Sequence, residues 1–393
     1  MNDTIGERLR TARRERGLSQ QGLAEISGIS ASFIARIEQG RGTPSIRNVN
    51  ALAGVLGVEP SRLLDKRERL EQAGRDHGVL GVRDALLGPE DLPGLEFSGD
   101  DPAVPVAQLE QDVSQGWKHY WDGRLGALAD DLPPLISAGR AAEREYGAAG
   151  CRPLAQAYQL AADLLVHCGD DNLALAAAMR GLHAAHRGDD PLQHATLGGT
   201  TSWVLLHQGR LGDAERVASV AAEKIEPAGQ VPMEHLTVYG SLLLSAAAAA
   251  ATAGNAPAVQ SYMAEASLIA LRFTGGDRHD YRTNFGPTQV AMQKTYQMAV
   301  LGEAPGALKA AKRVHRGDLL RISWGAHQLD IAQASLDMKR VSATVDALWA
   351  AHEVSPEWAR HQGLFRTLVL GAVRAENRLS ARTRKLAATA GLR

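Results

Sequence analysis

Leu18-Ser19-Gln20, Leu23-Ala24, Ser27-Gly28-Ile29-Ser30, Ile34 and Ile37-Glu38-Gln39-Gly40-Arg41 decide how the N-terminal part of this chain folds. Ser19 is placed to cap a helix running through Leu23 and Ile26 to Gly28. Ser30 caps the next, with Ile34 and Ile37 turned inward and Gly40 as its terminator. Working outward, Ile5, Leu9 and Ala12 recur at helical spacing before Gly17 stops them. Pro44 and Ser45 open a fourth helix through Val49, Leu52 and Leu56 to Gly57, and residues 60–64 make a short fifth turn.

Five short helices with only a tight turn between the second and third match a helix-turn-helix, in which the second helix of the pair enters the DNA major groove. The same residues, with Pro44-Ser45, Leu52-Ala53 and Leu56-Gly57-Val58, strongly resemble the xenobiotic-response-element family of helix-turn-helix domains typified by phage Cro and lambda repressors. The resemblance covers residues 5–65. It implies a phosphate contact for Gln20, base-facing positions near the capping Ser30 for Ala31, Ser32 and Arg36, and phosphate contacts for Arg41 and Arg47. A guanidinium reaches guanine O6 and N7 bidentately, so Arg36 is the expected direct reader, whereas Ala31 offers only apolar contact to a thymine methyl. Arg13 and Glu38 look like the family's structural ion pair. Arg14, Arg16, Arg62, Arg67 and Arg69 are read first as solvated surface.

The charge distribution agrees with that division. Residues 1–70 carry 12 Lys+Arg against 8 Asp+Glu, whereas the whole chain of 393 residues has a net charge of −1. A basic segment that meets a polyanion and a larger body with another task are expected. Two cysteines, Cys151 and Cys168, are too few for a disulfide framework or a four-ligand zinc site, and residues 1–9 hold charges rather than an apolar core. A reducing, cytoplasmic setting is the default. The uncharged stretch 236–264 is mostly alanine, and Gly254, Asn255 and Pro257 are expected to break it into pieces too short for a bilayer, so no membrane partner is expected.

Residues 62–76 read as a charged connecting helix, 82–87 as a second short helix, and the Pro-, Gly- and Asp-rich 88–105 as a loop. The expected division is therefore a DNA-binding domain at 1–70, a linker at 71–104 and a sensor and dimerisation domain at 105–393. Beyond the linker no run alternates as a strand would, while alanine and leucine recur at helical intervals. A sentence repeats: a helix, a glycine turn, then a second helix with alanine four or five residues past the glycine. Its glycines are 123, 209, 254 and 302, with Gly169 fitting less well. The expected fold class is all-α: a five-helix lambda-repressor-like domain followed by an α-solenoid of five to seven degenerate tetratricopeptide-like hairpins. This architecture is similar to the peptide-sensing regulators grouped as Rap, Rgg, NprR, PlcR and PrgX, and to large cytoplasmic regulators of actinobacteria. Asn284-Phe285-Gly286-Pro287-Thr288 looks like the second group, as does a count of 35 Arg to 8 Lys.

The inner wall of such a solenoid, lined by the first helix of each hairpin, is where a small molecule or extended peptide is expected. Gln289, Gln293 and Gln297 share one helical face, with Asn284 just upstream, and amides both donate and accept. Trp203 with His207, and Trp324 with Gln328, are further pairs four apart. A solvated stripe and packing tryptophans are the competing readings. The loop 275–281 reads as exposed, with a lid or metal site as the lesser alternative.

No His-Glu-x-x-His, Gly-x-Ser-x-Gly, Walker loop or dinucleotide fingerprint is present, so no enzyme, metal or cofactor is expected. His183 and His186 lack a third ligand nearby and read as surface or packing. The sequence thus points to a homodimeric transcription regulator that reads a near-palindromic double-stranded DNA operator, modulated by an effector in the solenoid. Resemblance suggests specialised-metabolite genes as targets. The alternative is a protein–protein interaction module that sequesters a signalling or transcription partner.

Overall fold

The computed structural model describes residues 4–42, 44, 46–58, 60–64, 77–88, 103–376 and 378–392. The N-terminal unit has the five expected helices: α1 (Ile5–Glu15), α2 (Gln20–Ser27), α3 (Ala31–Glu38), α4 (Ile46–Leu56) and α5 (Pro60–Leu64). Thr4 and Glu7 close a capping box on α1, and Ser19 and Ser30 accept from the Gly22 and Phe33 N–H groups at the starts of α2 and α3. Leu9, Leu23, Ile34, Ile37, Val49, Leu52, Leu56 and Leu63 form one fully buried core. Gly6 lets α1 approach α3 backbone to backbone, since a Cβ there would overlap the Ile37 carbonyl.

Of the expected connecting helix at 62–76 and loop at 88–105, residues 65–76 and 89–102 lie outside the described residues. Between them, α6 (His77–Leu87) is longer than the sequence indicated and runs through Gly81. It inserts Val82 and Leu86 into the core of the C-terminal body, where Gly81 faces Pro133.

That body is a succession of helical hairpins: α7 (Val106–Trp121) with α8 (Leu125–Tyr146), α9 (Ala148–Cys168) with α10 (Asp171–Arg187), α11 (Pro191–His207) with α12 (Leu211–Glu223), α13 (Met233–Ala253) with α14 (Ala256–Ala270), α15 (Pro287–Val300) with α16 (Ala304–Ala311), and α17 (Arg321–Asp337) with α18 (Val341–Val354). The repeat glycines 123, 169, 209, 254 and 302 are the hairpin turns, each left-handed at φ 70–79°. Each N–H returns to a carbonyl three residues back and the next N–H to one five back, as at Gly209 to Leu206 and Arg210 to Leu205. The α17–α18 turn makes the same two bonds with Lys339, φ 58°, in the glycine's place.

Burial follows the fifth residue after the turn in five of these six turns, the exception being the Gly254 turn, where Val259 is half-buried. Ala174, Ala214 and Ala307 are wholly buried there, as are Leu128 and Thr344, whereas Ala127 and Ala258 are only half-buried. Gly169 therefore fits the repeat as well as its fellows.

The array closes on itself. After α18 come α19 (Pro356–Arg360), α20 (Gly363–Ala375) and α21 (Ala381–Thr389), with His361-Gln362 separating α19 from α20. Ser355 Oγ donates to the Gly123 carbonyl (2.8 Å) and Glu357 Oε1 accepts from the Gly126 N–H (2.6 Å). Trp358, Phe365 and Leu368 share one buried core with Trp117 and Leu128 of the first hairpin.

Two expectations need correction. The uncharged stretch begins within a 21-residue helix, α13, which is long and apolar enough to cross a membrane by length and composition, but 78% of its most apolar 18 residues are buried inside the protein. The loop before α15 is also not simply exposed: β1 (Arg278–Asp280) pairs antiparallel with β2 (Thr283–Phe285), placing His279 opposite Asn284. Phe285 is buried against α13, where a Cβ on Gly240 would overlap its ring.

Candidate DNA interface and cavity

On α3 the apolar side faces the core, which turns Ser32 and Arg36 outward and leaves Ala31 half-exposed. Ser30, exposed at the cap, also lies 3.3 Å from Ser32 Oγ. The Arg36 guanidinium sits over the Phe33 ring, 5.1 Å from its centroid, so it is stacked yet exposed. Arg41 is exposed just past the helix, its N–H bonded to the Arg36 carbonyl (2.7 Å). Arg47 begins α4, but its side chain, like Ser45, lies outside the described residues.

Behind this face lies an anchored acid. Arg13 donates through Nε and Nη2 to the two Glu38 oxygens at 2.6 and 2.9 Å, both residues being buried. Burial alone pushes the Glu38 carboxyl up; the Arg13 and Gln20 hydrogen bonds and the nearby Arg10 outweigh it and hold the carboxyl below its usual value. Gln20 spends one amide N–H on Glu38 Oε2 (2.8 Å), which leaves only its second N–H for a phosphate. Arg16 donates to the Leu56 carbonyl and Arg62 pairs with Glu15, which gives both structural work.

The second feature is a cavity of about 310 Å³ in the body. Its walls come from the first helices of consecutive hairpins: Tyr120 and Trp121 on α7, Gln159 and Asp163 on α9, Thr200 and Trp203 on α11, Ser241 and Ser245 on α13, Gln289 and Gln293 on α15. The β-hairpin adds Arg282, Thr283 and Asn284 to the wall. Asp277 accepts from the Thr288 and Gln289 N–H groups, both at 2.8 Å, and so fixes the start of α15. The side-chain nitrogens of Gln289, Gln293 and Gln297 are all buried without a hydrogen-bond partner among the described residues.

Of the residues expected on the inner wall, Trp203, Asn284, Gln289 and Gln293 line this cavity together, whereas His207, Gln297, Trp324 and Gln328 do not. His207 stacks edge-on to Trp203 and bonds its carbonyl; Trp324 instead lies under the Arg316 guanidinium. His183 and His186 are exposed, and among the described residues no group of three His, Cys, Asp or Glu is placed to hold a metal.

A family model described as a helix-turn-helix domain matches residues 4–65. The immunity repressor protein of Bacillus phage phi105 is 31% identical over 104 residues, which is 25% of this chain and 72% of that protein. The chain belongs to the helix-turn-helix repressor family. The regulator SinR of Bacillus subtilis (strain 168) is 36% identical over 72 residues, 18% of this chain and 65% of its own length. The solved structure of Bacillus thuringiensis PlcR in complex with the peptide PapR7 and DNA aligns with 88% of this chain and 99% of that one, at 14% identity and a TM-score of 0.39.

The matched relatives of the helix-turn-helix family are transcription regulators, and the match falls on the segment that carries Ser30, Ala31, Ser32 and Arg36. The cavity lies beyond it. Reading the sequence missed Tyr120, Trp121, Gln159, Asp163 and Arg282. Asp163 did leave a trace, as a single acid inside the apolar run Leu160-Ala161-Ala162-Asp163-Leu164-Leu165-Val166. Arg282 left none, because only the pairing of β1 with β2 brings it to the wall.

Proposed function

We propose that this DNA-binding regulator reads its operator with α3 and is controlled by an effector held in the cavity. Arg36 reads a guanine edge, Ser32 and Ala31 contact neighbouring bases, and Ser30, Gln20, Arg41 and Arg47 position the domain on phosphates. One α3 spans only a few base pairs, so a homodimer reading two half-sites of a near-palindrome, about one helical turn of ~34 Å apart, supplies the length a specific operator needs.

The observation that carries the sensing half is α13. It gives Ser241, Leu244, Ser245 and Ala248 to the cavity wall and also packs against α4 of the reader. A ligand that moves α13 moves the surface on which the reader rests. Its leverage equals its difference in affinity between the two arrangements. Pro60 at the start of α5 adds a second contact, lying against Gly209 in the α11–α12 turn.

The test compares operator affinity in the wild type and in Ser245→Phe, which fills the cavity from α13. The reading predicts a several-fold change in operator affinity with the base preference unaltered. An affinity identical in the two proteins would separate the cavity from the reader.

A further inference from the structure

The cavity wall contains an acid without a base and a base without an acid. Asp163 is 7% exposed, and among the described residues no hydrogen bond or ion pair reaches its carboxyl. Burial, with no counter-charge beside it, pushes that carboxyl well above the usual range. The Arg282 guanidinium donates to two neutral groups, Gln156 Oε1 (3.1 Å) and Ser114 Oγ (2.8 Å), and no carboxylate among the described residues pairs with it. Burial without an acid partner weakens its hold on its own proton. Although both residues line one cavity, they do not pair with each other.

Arg282 is also held there against its backbone preference. Tyr281 (φ 50°) and Arg282 (φ 62°) are the two central residues of the β1–β2 turn, positions that Asn-Gly ordinarily fills. A non-glycine pair in this conformation, with the second side chain directed at α7 and α9, is the sort of strain that accumulates at ligand clamps. Two amide donors of the remaining polar wall have no acceptor among the described residues. Gln289 is 6% exposed and, like Gln293, has a buried side-chain nitrogen with no partner among them. Tyr120, Trp121 and Trp203 supply aromatic surface near Asp163 and Gln159.

We propose that the cavity binds a compact zwitterion, a free amino acid, with its ammonium against Asp163 and its anionic group against Arg282. The Gln289 and Gln293 amides then donate to its remaining oxygen atoms. At about 310 Å³ the site sits at the small end of ligand pockets, the size of a compact ligand rather than of an extended peptide. This inference rests on reading the cavity as the effector site.

The experiment is a thermal-shift screen of the full chain against the twenty free amino acids and their glycyl dipeptides, with N-acetyl and C-amide forms of every compound that binds. At least one free amino acid is expected to raise the Tm, and capping either end is expected to abolish the effect. Asp163→Asn and Arg282→Gln are each expected to weaken binding at least about tenfold, the cost of leaving one charge of the ligand buried and unpaired. Asp163→Asn is also expected to raise the Tm of the ligand-free protein, which separates lost binding from lost folding. Silence from every free amino acid, binding that survives N-acetylation, or full affinity in Asp163→Asn would each overturn the proposal. A response confined to the dipeptides would overturn its compactness. Operator affinity measured in parallel keeps the two readings apart: a zwitterion that binds without altering it removes the sensing function and leaves the site, whereas control by an uncharged ligand does the reverse.

Discussion

Arg13 on α1 and Glu38 at the end of α3 form a buried two-bond ion pair, 2.6 and 2.9 Å, which fixes the DNA-facing helix to the rest of its domain. Removing one partner strands the other. Arg13→Met is predicted to destabilise the N-terminal domain by about 3 kcal/mol, and the double variant Arg13→Met/Glu38→Leu to recover most of that loss. Denaturant unfolding of the single and double variants measures both. Because the Glu38 carboxyl is held below its ordinary value of 4.5, the pair's contribution is present above that pH and fades as pH falls through the lowered value.

Lys339 occupies a left-handed position that glycine fills in five equivalent turns, at φ 58°. Lys339→Gly relieves the steric penalty and gives back part of the gain as unfolded-chain entropy. A net stabilisation of about 1 kcal/mol is expected, seen as a raised denaturant midpoint at unchanged slope. A lowered midpoint would show that the Lys339 side chain contributes something its backbone does not.

His327 on α17 is 1% exposed and neither ring nitrogen has a hydrogen-bond partner among the described residues; burial lowers its pKa from 6.5 to about 4. The folded protein holds the imidazole neutral, while the unfolded chain takes up a proton once pH drops below the free value. Stability is therefore full above pH 6.5 and is lost as pH falls toward about 4. The loss amounts to about 3 kcal/mol. Thermal melts across that range check it, and His327→Phe is predicted to flatten the slope.

What was legible in the sequence was local. Ser19, Ser30, Gly28 and Gly40 act through their own neighbours, and the repeat glycines mark turns whose hydrogen bonds span only five residues, so both domains could be read without knowing any distant contact. Lys339 escaped because the same turn can be built from a residue that dislikes it. The β1–β2 hairpin escaped because its strands are three residues each and its turn carries Tyr281-Arg282 rather than Asn-Gly. The cavity was half legible. Gln289 and Gln293 share a helical face, which periodicity shows. Asp163 and Arg282 meet one space only through the stacking of five hairpins, and no spacing in the chain encodes that. Trp324 and Gln328 sit on the right kind of helix, one hairpin too far along.

The central claim is that α3 reads DNA sequence through Arg36. Selection from random double-stranded DNA at fixed moderate salt, run on the wild type and on Arg36→Ala, tests it most directly. The account predicts a paired motif for the wild type and, for the variant, relaxed preference at one base of each half-site with a loss of about 1–3 kcal/mol. An identical motif from both proteins, or none from the wild type, would contradict it.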